Sequence, residues 1–143
     1  MLANLLPWKF YRSSEAHITI DEKLTPIQKE VGLKINNLLY GKNYGISIEN
    51  WRYLSIINPR SFYDDGFFRE TNRYSKKEHS VEFRLRINYL DFLKADTKKA
   101  YELICKSILR SVDIAETKFK IKDFDFSSFR NDLKHLFKEE GWM

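Results

Sequence analysis

The sequence predicts an α+β fold: an antiparallel sheet of about four strands with helices packed on one face. Three observations predict it. Four stretches either alternate apolar and polar residues or are rich in β-branched and aromatic ones, the marks of strands. The last two strands are separated by the short polar connection "SKKEH", and strands joined by short turns pair antiparallel. Helical spacing gathers late in the chain, so helices and strands are segregated rather than alternating.

The elements follow in order. "SEAHITID" sets Ala16, Ile18 and Ile20 against His17, Thr19 and Asp21, the pattern of a half-buried strand. "TPIQKEVGLKINNLLYG" then reads as a helix. Thr25 suits the N-cap, Pro26 the first helical position, and Gln28 completes a capping box. Leu24, Ile27, Val31, Ile35, Leu38 and Leu39 recur at helical spacing, and Gly41 ends the run as a left-handed terminal residue. "ISIENWRYLSIINP" is a strand, strongest over 51–57 and stopped by Pro59. "RSFYDDGFF" is an aromatic loop around the turn pair Asp65-Gly66. "FRETNRYS" is a weaker strand, "SKKEH" a hairpin connection, and "SVEFRLRINY" the clearest strand. There Val81, Phe83, Leu85 and Ile87 point one way, and Glu82, Arg84, Arg86 and Asn88 the other.

Two helices close the chain. Asp96 caps the first, whose stripe is Tyr101, Ile104, Cys105, Ile108, Val112 and Ala115, widened by Leu103 and Leu109. "KFKIKDFD" connects it to the second. Asp125 or Ser127 caps that last helix, with Phe126, Phe129, Leu133, Leu136 and Phe137 as its apolar stripe.

The 143 residues point to a single domain over 1–143, and a hydrophobic share of 43% is ample for one core. Few glycines and prolines and no low-complexity tract argue against disorder. One cysteine, Cys105, excludes an internal disulfide and a multi-cysteine metal site, and fits a reducing compartment. The opening "MLANLLPWKFYRSS" has a short, interrupted apolar run and no basic leading segment, so no signal peptide is expected. No apolar run approaches the roughly 20 residues that span a bilayer. A soluble, cytoplasmic protein with no membrane partner is the expectation.

The residues carry little sign of catalysis. His17, His79 and His135 lie far apart, none at metal-ligand spacing, and each reads more simply as a surface residue. Cys105 lies on an apolar stripe and reads as a core residue rather than a nucleophile. Asp64-Asp65, the pair Asp123 and Asp125, and Glu139-Glu140 supply carboxylates, but acid–base work needs two that converge in a cleft. Asp125 is more simply a cap and Asp64-Asp65 a turn. No phosphate-cradling loop or nucleophile elbow appears. The expectation is a non-enzyme without cofactor or metal.

The polar side of the 73–92 stretch raises three readings. Arg69, Arg73, Lys76, Lys77, Arg84 and Arg86 with Tyr74 could form a basic hairpin for single-stranded RNA or DNA. Glu70, Glu78 and Glu82 interleave with them, so the charges equally suit a solvated, self-neutralised sheet face. Protein recognition is the third. Tyr63, Phe67, Phe68 and Tyr74 would anchor a partner, and Asp64, Asp65, Glu70, Arg73, Glu82, Arg84 and Arg86 would select it.

The run "RYSKKEHSVEFRLRINYLDFLKADTKKAYELICKSILRS", followed by "KIKDFDFSSFRNDL", resembles one group of bacterial immunity proteins from polymorphic-toxin and contact-dependent growth-inhibition systems. "YGISIENWRYLSIINP" and "HITID" fit the same pattern, so the likeness spans about 16–136. The resemblance implies a cognate toxin domain as partner, neutralised without catalysis, and makes nucleic acid an unlikely but open alternative. It fixes no contact residues, because toxin-facing surfaces differ between members. An acidic inhibitor would match a basic nuclease, yet this chain carries +5. Either the toxin is not strongly basic, or docking falls to a local acidic patch, for which Asp64, Asp65 and Glu70 are the candidates.

Overall fold

Helix α3, Thr97–Lys118, forms where the spacing predicts it. The Asp96 side chain accepts from the Lys99 amide at 2.7 Å, satisfying one of the amides a helix start leaves without a partner. Its inward face buries Leu103, Ile104, Cys105, Ile108 and Val112. Ser107 and Ser111 are buried too, and each hydroxyl donates to the carbonyl four residues back, so neither is orphaned. Helix α4, Phe126–Glu139, is capped by Asp125, which takes both the amide and the hydroxyl of Ser128. Phe126, Phe129, Leu133 and Phe137 are buried on α3 and its neighbours. Each such side chain contributes roughly 1.5–3 kcal/mol by leaving water.

A computed structural model of the chain describes residues 4–5, 14–42, 44–45, 50–57, 70–75, 80–119, 121 and 124–143. Side chains are described at 22–27, 29–38, 41–42, 44–45, 91–119, 121 and 124–143.

The first correction concerns residues 14–21. They are not a strand but the start of helix α1, Ser14–Gly41. The apolar residues there also fit a helical reading, because Ala16, Ile20, Leu24, Ile27, Val31 and Ile35 are spaced by three or four. Pro26 therefore sits inside the helix rather than opening it. Having no amide hydrogen, it cannot donate to the Glu22 carbonyl. A capping box at Thr25 and Gln28 requires the helix to begin there, and it begins at Ser14. Gly41 does close α1, but the left-handed glycines among the described residues are Gly45 and Gly141.

A short helix, α2 (Tyr89–Lys94), precedes α3. Its terminal carbonyls would be unpaired, and Lys23 of α1 meets them: its ammonium donates to Phe92 and Ala95 at 2.5 Å each and to Leu93 at 3.1 Å. Burial lowers the Lys23 pKa, and nearby Asp96 opposes that shift. Tyr101 of α3 donates to Glu30 of α1 at 2.5 Å, and burial together with this bond pushes its phenol up to about 12. After α4, Gly141 turns left-handed at φ 75°. Its amide bonds Lys138 and that of Trp142 bonds Phe137, so the last carbonyls are closed and Trp142 folds onto Phe137 and Tyr101.

The second correction is to the fold class. Of the residues described with their side chains, 81% are helical and none lies in a strand. The packed body they define is all-helical, not an antiparallel sheet covered on one face. The backbone also runs extended over β1 (Asn4–Leu5), β2 (Asn50–Ile57), β3 (Glu70–Ser75) and β4 (Ser80–Asn88), paired in the order β1-β2-β4-β3. Two of these three pairings, β1–β2 and β2–β4, are parallel; β3–β4 is antiparallel. The expected order assumed that neighbours in sequence pair with each other. Instead β4 inserts between β2 and β3, and a parallel pair needs a long crossover rather than a tight turn. Among the described residues no helix is long and apolar enough to cross a membrane.

Candidate functional site

The surface picked from sequence falls in two parts. Tyr63, Asp64, Asp65, Phe67 and Phe68 lie outside the described residues. Glu70, Arg73 and Tyr74 fall on β3, and Glu82, Arg84 and Arg86 on β4, where the backbone alone is described. The register sets Arg73 opposite Glu82, Thr71 opposite Arg84, and Tyr74 opposite Val81. On the other side Arg52 faces Glu82 and Ser55 faces Arg86. Between those points β4 advances three residues, Glu82 to Leu85, while β2 advances two, Arg52 to Leu54. Such a slip is a bulge-like irregularity that breaks the simple two-residue repeat of a ladder.

The described side chains build a different polar site, an open cleft of about 490 Å³ between the end of α1 and the first turns of α4. The Asp125 amide donates to the Tyr44 carbonyl at 2.7 Å, and Gly45 bridges to Phe124, which pins the segment after α1 beside α4. The Tyr44 ring then packs edge-on to Phe129 at 5.2 Å between centroids. Its ring is buried, so its hydroxyl needs a partner. It donates to Asp132 Oδ2 at 2.6 Å, and Lys42 Nζ approaches the same oxygen at 3.0 Å. Ser128 and Asn131 complete the lining with Asp125.

The electrostatics follow from these contacts. Burial, and then the bond to Asp132, push the Tyr44 phenol well above its usual range. The same bond, helped by Lys42, holds Asp132 below the ordinary aspartate value. The two bonds from Ser128 do likewise for Asp125. Both carboxylates thus stay ionised and the phenol stays protonated near neutral pH, an arrangement for accepting hydrogen bonds rather than relaying protons.

Other groups weighed from sequence go elsewhere. Cys105 is fully buried, and burial pushes its thiol far up. His17 lies on α1, His79 lies outside the described residues, and His135 is exposed on α4, 3.1 Å from Glu139. Among the described residues no group of three or more His, Cys, Asp or Glu could hold a metal ion. Tyr44, Asn131 and Asp132 escaped sequence reasoning, because a contact between positions 88 apart leaves no local signature.

A family model described as immunity protein 44 matches residues 9–139. The chain belongs to the immunity protein 44 family. This is a family of bacterial immunity proteins of toxin systems, as the sequence resemblance implied. The immunity protein 44 match takes in all of α1 to α4 and every residue of the cleft. No curated protein and no solved structure matches the chain.

Proposed function

We propose that this chain binds a cognate toxin domain and neutralises it by stoichiometric, non-catalytic inhibition. The setting is the cytoplasm of kin cells in a contact-dependent growth-inhibition or polymorphic-toxin system. The family match over residues 9–139 carries the reading. The sequence-derived surface remains a docking candidate: the loop residues 63–68 with Glu70, Arg73, Tyr74, Glu82, Arg84 and Arg86. Aromatic anchors and arginines are the side chains that most often dominate binding energy.

The test is a tagged pull-down from cells expressing the toxin domain encoded beside this chain, with and without nuclease. A complex held in near-equal amounts through nuclease treatment is expected. Nucleic acid recovered instead, and lost with nuclease, would replace the reading with an RNA- or DNA-binding one. Within a confirmed complex, Phe67→Ala and Arg84→Glu should each weaken toxin binding by about ten-fold or more while circular dichroism stays unchanged. Unchanged affinity in both would remove this surface and leave the family assignment standing.

A further inference from the structure

The charge of a whole chain and the charge a partner meets need not agree. This chain carries +5, so an electronegative seat on it has to be local. The cleft supplies one: among the described residues that line it, one ammonium, Lys42, faces two carboxylates, Asp125 and Asp132, so that lining carries 1 − 2 = −1. It has room for a planar side chain and is walled by hydrogen-bonding groups rather than apolar ones.

Its acceptors are unevenly used. Asp125 spends both oxygens on Ser128, one on the amide and one on the hydroxyl. Among the described residues Asp132 receives its donors, Tyr44 and Lys42, on Oδ2, which leaves Oδ1 with accepting capacity. Asn131 lines the same cleft with an exposed amide. The two donors on Asp132 also differ in kind. Tyr44 is fixed by burial and holds the carboxylate in place before any partner arrives, which lowers the ordering cost of binding. Lys42 has a side chain 53% exposed and is free to swing into water, since an exposed ion pair holds weakly.

We propose that this cleft seats the guanidinium of an arginine side chain presented by the toxin, on Asp132 Oδ1 and the Asn131 amide oxygen, with Lys42 displaced. The inference rests on the immunity reading for the identity of the partner. Arginine is the fit because its planar fork offers paired donors to neighbouring oxygens, whereas lysine acts as a point charge.

The test uses the full chain and N-acetyl-arginine amide as probe, followed by two-dimensional amide NMR. Shifts should centre on Tyr44, Ser128, Asn131 and Asp132. Lys42→Met should tighten the probe several-fold, and Asn131→Lys should abolish the shifts without changing the melting temperature, since Asn131 is exposed. No shifts, shifts spread evenly over exposed carboxylates such as Glu22 and Asp91, or an equal response to N-acetyl-lysine amide would each overturn the proposal. With the toxin itself, Asn131→Lys should weaken binding by about ten-fold. A complex that forms and ignores Asn131→Lys leaves immunity intact and removes this inference. A responsive cleft with no toxin complex removes the immunity reading and the occupant named here.

Discussion

Tyr44 carries the clearest single-residue consequence of the structure. Its ring is buried and its hydroxyl meets a carboxylate that it keeps ionised, so the two groups stabilise each other. Tyr44→Phe should cost about 1.5–3 kcal/mol, the range for a hydrogen bond to a charged partner. The pH dependence has a definite sign at each end. Asp132 has a depressed folded value, so its contribution is present above the ordinary 3.8 and is lost as pH falls through the lowered value. The gap in urea midpoint between wild type and Tyr44→Phe should therefore narrow from pH 7 to pH 2.5. Tyr44 has a raised folded value, so its contribution is complete below 10.0 and is lost as pH rises above it. The same gap should narrow again in strong alkali. A gap that stays constant across both ranges would mean that the hydroxyl and Asp132 are not coupled.

At the scale of elements, Pro26 separates two accounts of α1. Were Pro26 the first helical residue, Pro26→Ala would change stability little, because the amide there has no partner in any case. In the structure it lies twelve residues into a helix that begins at Ser14. Alanine would restore the bond to the Glu22 carbonyl and relieve a misfit worth about 3 kcal/mol in a helix interior. Pro26→Ala should thus raise the urea midpoint, by an amount reduced by the extra freedom it gives the unfolded chain. The contrast also shows what was legible. Helices α3 and α4 were readable because their caps, Asp96 and Asp125, and their stripes lie within a few residues of each other. The start of α1 resembles a strand in sequence because Ala16, Ile18 and Ile20 satisfy a period of two over a window too short to reject it. Six apolar positions from Ala16 to Ile35 together satisfy only a helix. Partner choice among β2, β3 and β4 and the meeting of Tyr44 with Asp132 depend on chain crossings, which no local pattern encodes.

At the scale of the molecule, the helices are tied into one body by contacts from every direction. Lys23 joins α1 to α2, and Tyr101 joins α3 back to Glu30 of α1. Arg130 of α4 spans Asp113 and Glu116 of α3 at 2.7 and 2.6 Å. Exposed pairs of this kind contribute little energy singly, so the shared apolar core must provide most of the cooperativity. Cys105, fully buried within that core, reports on it directly. Its thiol is pushed up by burial, so at pH 8 the native chain should resist a thiol reagent such as Ellman's and react only after opening. Under increasing urea, Cys105 labelling at equilibrium and loss of the far-ultraviolet helical signal should share one midpoint. Labelling at lower urea would mean that the helices around Cys105 open as a separate unit. That outcome bears on function as well, since the cleft joins the end of α1 to α4 and stays preformed only while the body holds together. A single shared transition would keep the acceptors of Asp132 and Asn131 in place up to global unfolding, the condition for binding a partner with little rearrangement.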